Sequence, residues 1–148
     1  MELITKLSNQ RVYFDTNIII YLIEGLPEYE HQLGEIGFLL ERDKLQSFTS
    51  ELSLCECLVK PFKSNATKAI DLFRSFLEDS NCFELLPIDK NILIQSAYIS
   101  AKTGMKTPDA IHVATAIASH CDTFLTNDKS IRTPKKIEKV LLSNYIYK

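Results

Sequence analysis

Short apolar segments alternate with longer segments of helical periodicity along the chain, and this alternation limits the possible folds more than any other feature. The apolar segments span residues 11–14, 45–49, 83–88, 123–126 and 140–142. The stretches between them carry apolar residues at three- and four-residue spacing, which is typical of amphipathic helices. Strands that alternate with helices form a mostly parallel sheet covered by helices on both faces. We therefore predict a three-layer α/β/α fold with a mostly parallel sheet of four or five strands.

Capping and turn residues indicate where several helices begin and end. Ser50 precedes a helix that should end before Pro61, because proline restricts the residue in front of it. Asn65 is expected to cap the following helix. Asp89 opens a later helix, and Gly104 closes it, since glycine readily adopts the left-handed conformation found after helices.

The length of the chain and its lack of linkers predict a single domain. The chain has 148 residues, an ordinary size for one domain, and contains no internal repeat or Pro/Gly-rich linker, so we expect one domain over residues 1–148. No apolar run approaches the roughly 18–20 residues of a membrane span, and no secretory signal is visible at the start. We therefore expect a cytoplasmic protein whose four cysteines are reduced and pack as small core residues.

Charge is unevenly distributed although the net charge is only −2. The segment 24–43 is rich in acids, whereas the segment 129–148 is rich in bases. The basic C-terminal segment is either a patch that contacts phosphate or an ordinary solvated surface, and charge alone leaves both open. No glycine-rich GxGxxG or GxxxxGK[ST] motif occurs, so nucleotide binding of the Rossmann or P-loop kind has no support.

Acidic residues follow several of the predicted strands. Asp15 comes directly after the first strand, and Asp128 comes directly after the fourth. Glu56 lies among apolar neighbours in the helix after the second strand, and Asp109 opens a helix after the Gly104 turn. Because ligands gather at the carboxyl ends of parallel strands, we expect these four side chains to meet at one edge of the sheet.

Four converging carboxylates have a chemical consequence and an ordinary alternative. They repel one another and stay ionised together only when a cation joins them, and oxygen ligands select Mg²⁺ or Mn²⁺. Such an ion activates water and stabilises a phosphodiester in flight. Alternatively, Asp15 caps the helix after the first strand, Asp109 interacts with the dipole of its helix, Asp128 makes a turn and Glu56 pairs with Lys60. Spacing alone indicates an acidic metal site and goes no further.

Several stretches around these acids match one known family in order and spacing. Residues 12–18 contain Asp-Thr-Asn at the end of a strand, and residues 49–56 end in a glutamate. Residues 108–116 begin with Pro-Asp-Ala, and residues 124–128 end in Asn-Asp. Together these stretches resemble the PIN domain, the nuclease family that includes the VapC-type toxins of bacterial toxin–antitoxin pairs. The resemblance extends from about residue 11 to residue 142.

The resemblance implies a fold, an activity and partners. The fold would be PIN-like, and the activity that of a Mg²⁺- or Mn²⁺-dependent endoribonuclease that cuts single-stranded RNA and leaves a 5′-phosphate and a 3′-hydroxyl. The chain would be the toxin of a type II toxin–antitoxin pair, with RNA and a cognate antitoxin as partners, and would form a homodimer. The residues that match the family's catalytic and metal-binding quartet are Asp15, Glu56, Asp109 and Asp128, and those that match its supporting positions are Thr16, Asn17 and Thr126.

Within the implied quartet, Asp15 and Asp109 would be the most direct metal ligands, and Glu56 and Asp128 would complete the shell or hold water. His112 lies three residues after Asp109 on the same helical face. It is either a general acid or ligand, or a packed residue without a role in the chemistry.

Two other functions are compatible with acids at the end of a parallel sheet. A phosphoacceptor receiver-like signalling domain would use an aspartate at the end of a central strand and a lysine after a late strand. Asp89 follows the third strand, but no lysine follows at an equivalent place. A catalytically inactive PIN-fold binding module is the other alternative, although binding alone gives no reason to keep four mutually repelling acids.

Overall fold

Five parallel strands form the central sheet of the computed structural model, which describes residues 2–146. The sheet order is β3-β2-β1-β4-β5, and all four pairings are parallel. The predicted α/β class and parallel sheet are therefore confirmed. The strands are β1 (Arg11–Phe14), β2 (Gln46–Ser50), β3 (Glu84–Leu86), β4 (Thr123–Thr126) and β5 (Glu138–Leu141).

Helices cover both faces of this sheet. Short 3₁₀ turns at Pro27–Tyr29 and Leu142–Tyr145 and a wider turn at Ser75–Asp79 complete the chain. The helices are α1 (Leu3–Leu7), α2 (Thr16–Glu24), α3 (Glu30–Glu41), α4 (Glu51–Lys63), α5 (Thr67–Arg74), α6 (Lys90–Thr103) and α7 (Thr107–Ala118). In the part of the chain that the structure describes, none of them is long and apolar enough to cross a membrane.

Alternate residues of the central strands bury their side chains in two separate cores. Phe14 and Leu125 point to one face, where they pack with residues of α1 to α5. Tyr13 and Phe124 point to the opposite face, where they pack with residues of α6 and α7, and their rings stack 5.0 Å apart. Both faces are covered, as the three-layer prediction requires.

Two predicted helix boundaries are wrong. Pro61 lies inside α4 rather than beyond its end, because its ring is buried and the helix ends only two residues later, at Lys63. Burial of the ring offsets the backbone hydrogen bond that proline cannot donate. Asn65 does not cap α5 either. It has a left-handed backbone with a φ of 51° in the turn between α4 and α5, a conformation that asparagine tolerates.

The prediction that all four cysteines are core residues is only half right. Cys57 and Cys121 are buried, and burial raises the pKa of their thiols to about 12 and about 11, so both are unreactive. Cys55 is exposed and Cys82 is half-buried. Cys55 and Cys57 differ because two positions along a helix turn the side chain to nearly the opposite side.

The strand order argues against the receiver alternative. Receiver domains have the flavodoxin-like order 2-1-3-4-5, in which the third strand lies inside the sheet. Here β3 is an edge strand that pairs only with β2 among the described residues. Asp89, which follows β3, caps α6 by accepting a hydrogen bond from the Ile92 amide.

Two glycine-to-alanine substitutions should change stability in opposite directions. Gly104 ends α6 with a φ of +77°, so Gly104→Ala should lower the free energy of unfolding by about 1 kcal/mol. Gly34 lies exposed within α3 with open space around it, so Gly34→Ala should raise that free energy by about 0.5–1 kcal/mol. Urea denaturation measures both, and an equal effect of the two substitutions would contradict the backbone conformations described.

Candidate active site

Asp15 lies at the carboxyl end of the central strand and is held by the elements on either side of it. Its side chain is almost fully buried. Asp15 caps α2, because its Oδ1 accepts the Thr16 amide at 2.9 Å. Its Oδ2 accepts the Thr126 hydroxyl of the neighbouring strand β4 at 2.6 Å and the side-chain amide Nδ2 of Asn17 at 3.3 Å. These hydrogen bonds fix the Asp15 side chain where β1 and β4 end side by side.

Asn17 and Thr126 also connect Asp15 to the segment that carries Asp128. The Asn17 Oδ1 accepts the Asn127 amide at 3.2 Å, and the Thr126 hydroxyl oxygen accepts the Asp128 amide at 3.0 Å. The turn role considered for Asp128 is present as well, since its Oδ1 accepts the backbone amide of Ser130 at 2.9 Å and the hydroxyl of Ser130 at 2.6 Å. The segment after β4 is therefore attached to the Asp15 network.

Glu56 projects from α4 and does not use Lys60 as its partner. Its Oε1 accepts the Thr16 hydroxyl and lies near the His112 ring nitrogen Nε2, both at 2.7 Å. Burial alone would raise the pKa of Glu56, but the hydrogen bonds from His112 and Thr16 outweigh it and lower the pKa below its ordinary value. Thr16 contacts two acids, since its amide binds Asp15 and its hydroxyl binds Glu56.

Asp109 lies in the first turn of α7, where its surroundings disfavour the ionised form. Burial raises its pKa, and the charges of Asp128 and Asp15 raise it further. Glu56 adds a smaller repulsion, while His112 partly offsets it. The fold therefore brings the four acids close enough for Asp109 to feel the negative charge of the other three.

The donor set of this site fits a hard divalent cation in its chemistry. All four side chains offer carboxylate oxygens, and a cation would offset both the burial of Asp109 and the charges of Asp128 and Asp15, which together raise its pKa. Among residues 2–146, no three His, Cys, Asp or Glu side chains are already gathered at chelating distance. Asp109 and Asp128 open into a shared cavity of about 370 Å³, which leaves room for an ion and water.

Two residues of the site were missed or left open by the sequence analysis. His112 is buried on α7, with its Nε2 2.7 Å from Glu56 and 3.9 Å from Asp15 Oδ1. Its Nδ1 lies 2.6 Å from the hydroxyl of Tyr13, which is also buried. Burial, together with the charge of Asp15, raises the pKa of Tyr13 well above its ordinary value. The sequence does not indicate that Tyr13 contacts the site, because this residue fits the apolar pattern of β1.

The match to a known family decides the class of this protein. The model of the PIN domain family matches residues 12–137, which include all four acids. The chain belongs to the PIN domain family. PIN domains are generally nucleases, and the acids of this PIN domain lie at the carboxyl edge of its parallel sheet. No match was found among curated proteins.

Several solved structures share this fold. A toxin–antitoxin complex from Klebsiella pneumoniae is 26% identical over 85% of this chain and 94% of that chain, with a TM-score of 0.64. DNA-bound VapBC from Salmonella typhimurium is 18% identical over 90% and 98%, with a TM-score of 0.69. FitAcB from Neisseria gonorrhoeae is 20% identical over 89% and 98%, with a TM-score of 0.64. At these last two identities the likeness concerns the fold alone.

Replacing Asp109 by asparagine should stabilise the metal-free protein at neutral pH. A carboxyl whose pKa is raised by folding destabilises the protein when ionised, and this effect vanishes below the ordinary pKa of 3.8, where both states are protonated. In EDTA at pH 7 we expect Asp109→Asn to raise the melting temperature by about 1–4 °C.

The difference in melting temperature between the wild type and Asp109→Asn should become smaller as the pH falls toward 3.8. Added Mg²⁺ should stabilise the wild type more than Asp109→Asn, because the variant offers one carboxylate fewer. A melting temperature that is unchanged or lower for Asp109→Asn in EDTA at pH 7 would contradict the repulsion described. Scanning calorimetry provides the measurement.

Proposed function

We propose that this PIN domain is a Mg²⁺- or Mn²⁺-dependent endoribonuclease that hydrolyses phosphodiester bonds of single-stranded RNA. The observation that carries the proposal is the arrangement of the quartet at one edge of the sheet, where Thr16 binds both Asp15 and Glu56 and where Asp109 and Asp128 line one cavity. Uncompensated charge at a site open to solvent suits a function that brings in a cation. The catalytic and metal-binding residues in this proposal are Asp15, Glu56, Asp109 and Asp128.

The residues divide into ligands and supports. Asp15 and Asp109 would be the most direct metal ligands, with Glu56 and Asp128 completing the shell or holding water. When bound, the ion supplies a water of lowered pKa and stabilises the charge that develops on the phosphate. Thr126 orients Asp15 by donating to its Oδ2.

Two further supports keep the acids in register with one another. Thr16 couples Asp15 to Glu56 through its amide and its hydroxyl. Asn17 donates to Asp15 Oδ2 and accepts the amide that precedes Asp128. A shift of Asp15, Glu56 or the segment that carries Asp128 is therefore resisted by hydrogen bonds to the others, which is the rigidity that metal-assisted hydrolysis requires.

Asp15→Asn should abolish cleavage while keeping the fold. The asparagine oxygen can still accept the Thr16 amide and cap α2, but the charge that holds the cation is gone. We expect cleavage of a mixed RNA pool in Mn²⁺ to fall by more than about 100-fold, because a bound metal contributes several kcal/mol to the transition state. EDTA should abolish cleavage by the wild type.

Asp89→Asn is a matched control, because it makes the same substitution at the N-cap of α6. It should cut RNA like the wild type, and an equal loss of cleavage in both variants would mean that replacing a helix-capping aspartate, rather than removing the charge of Asp15, is what abolishes activity. Single-stranded DNA of the same sequence tests the preference for RNA. Cleavage by Asp15→Asn at the wild-type rate would remove Asp15 from the mechanism.

A role as the toxin of a type II toxin–antitoxin pair follows from the same family. The structure from Klebsiella pneumoniae is a toxin–antitoxin complex, and we propose an antitoxin protein as a partner of this chain and a homodimer as its assembly. Exposed apolar side chains on α4 and α5, among them Phe62 and Leu72, provide surface for a protein partner. Expression of the wild type, but not of Asp15→Asn, should then arrest growth unless the antitoxin is supplied.

Basic side chains beside the acids indicate where the RNA backbone lies. Lys106, Lys129 and Arg132 line the same cavity as Asp109 and Asp128. Ammonium and guanidinium groups there can bind the phosphates next to the one that is cut. The basic C-terminal segment thus divides into residues that line this cavity and residues that lie elsewhere on the surface.

Two double substitutions separate these groups at equal change in charge. Lys129→Ala with Arg132→Ala should weaken binding of a single-stranded RNA and lower the slope of log affinity against log salt by roughly 0.7 for each phosphate that is no longer neutralised. Lys135→Ala with Lys136→Ala, at positions outside the cavity lining, should change the slope much less. Fluorescence anisotropy in EDTA, between about 50 and 200 mM salt, gives both slopes. Equal slopes for the two variants would mean that the whole basic segment is an ordinary solvated surface.

A further inference from the structure

A chain of hydrogen bonds connects Glu56 to the interior of the protein. Glu56 Oε1 lies 2.7 Å from His112 Nε2, and His112 Nδ1 lies 2.6 Å from the Tyr13 hydroxyl. Three elements take part, since Glu56 belongs to α4, His112 to α7 and Tyr13 to β1. His112 is 1% exposed and Tyr13 is fully buried, so water does not compete for the contact between them.

The hydrogen-bond partners of Tyr13 determine which way the protons point. The Ser50 amide donates to the Tyr13 oxygen at 3.2 Å, so the hydroxyl proton of Tyr13 is directed to another acceptor. An ionised carboxylate only accepts hydrogen bonds, so the neutral ring form that fits the Glu56 contact has its proton on Nε2 and donates it to Glu56. In this form Nδ1 carries no proton and accepts the Tyr13 hydroxyl at 2.6 Å.

Glu56 consequently receives two hydrogen bonds on the same oxygen. The Thr16 hydroxyl and the His112 Nε2 both donate to Oε1 at 2.7 Å, from two different helices. Two donors from different elements fix the plane of the carboxylate, whereas one donor would allow it to rotate. Oε2 is then the oxygen left for a ligand, and the Glu56 side chain is 36% exposed.

We propose that His112 and Tyr13 are positioning residues, which together hold Glu56 in one orientation and reserve its Oε2 for the divalent cation. His112 acts directly on Glu56, and Tyr13 acts through His112 by selecting the ring form with the proton on Nε2. This inference rests on the proposed function, because it assigns these residues to the same cation. Outer hydrogen-bond partners of this kind orient ligands in metalloproteins and tune their affinity.

The first test measures Mn²⁺ affinity of the purified protein by titration calorimetry or by the EPR signal of free Mn²⁺. Tyr13→Phe removes only the hydroxyl, and His112→Leu removes both ring nitrogens. We expect each to weaken Mn²⁺ binding roughly 10- to 100-fold. His112→Gln should recover part of the loss, since the amide nitrogen of glutamine reaches about as far as Nε2 and can donate to Glu56. A merely structural histidine would show no such recovery.

Thr115→Val serves as the matched control for a buried polar substitution on the same helix. The Thr115 hydroxyl is buried on α7 and donates within its own helix to the Ile111 carbonyl at 2.7 Å. We expect this variant to bind Mn²⁺ like the wild type. Circular dichroism and melting temperature show which variants are folded, and Tyr13→Phe and His112→Gln remain as the milder pair if His112→Leu is not.

The second test needs neither metal nor activity. Nitrogen-15 NMR of the imidazole rings in metal-free wild type should show His112 with its proton on Nε2, and the His112→Gln spectrum assigns the signal. Tyr13→Phe should shift His112 toward a mixture of the two ring forms. A proton on Nδ1 in the wild type would overturn the proposal.

Wild-type Mn²⁺ affinity in both Tyr13→Phe and His112→Leu would also overturn it, whatever the ring form. A wild type that binds no Mn²⁺ would instead contradict the proposed function, and the role toward a cation would fall with it. The NMR result would in that case still decide whether the hydrogen-bond chain exists. The two failures are therefore distinguishable.

Discussion

Repulsion among four neighbouring carboxylates is the constraint on which the hydrogen bonds of the rest of the site depend. Asp15 receives hydrogen bonds from the side chains of Thr126 and Asn17. Glu56 receives hydrogen bonds from Thr16 and His112. Asp109 shows the opposite effect, with a pKa raised by burial and by its acidic neighbours. The protein thus compensates the inner acids with hydrogen bonds and leaves the outer one to gain most from a cation.

The position of β1 in the middle of the sheet makes this arrangement possible. A central strand has a neighbour on each side. Asp15 at the end of β1 therefore accepts a hydrogen bond from the Thr126 hydroxyl of β4 on one side. On the other side, α4, which carries Glu56, begins directly after β2. An edge strand would offer only one such neighbour. The parallel direction of all the strands then places every following turn at the same edge.

Much of this could be predicted from the sequence, because strand and helix periodicities are local and two of the acids stand directly after strands. The continuation of α4 through Pro61 and the left-handed turn at Asn65 could not be predicted, since burial of a ring and the path of a turn depend on packing. The same holds for the contact between Tyr13 and His112, residues 99 positions apart. Periodicity marks Tyr13 only as a core residue, and only the docking of α7 on the sheet shows what its hydroxyl reaches.

An acidic site faces a second difficulty, because its substrate in the proposed function is itself an anion. Four carboxylates without a cation would repel an RNA phosphate, while Lys106, Lys129 and Arg132 line the cavity that Asp109 and Asp128 share, whose lining does not include Asp15 or Glu56. The basic residues can hold neighbouring phosphates, but among the described residues none of them forms an ion pair with an acid of the quartet. In the proposed function a divalent ion would compensate the charge of the acids and so allow close approach of the scissile phosphate. Residues that orient the acids, Tyr13 and His112 among them, would on this argument influence RNA binding only through the ion.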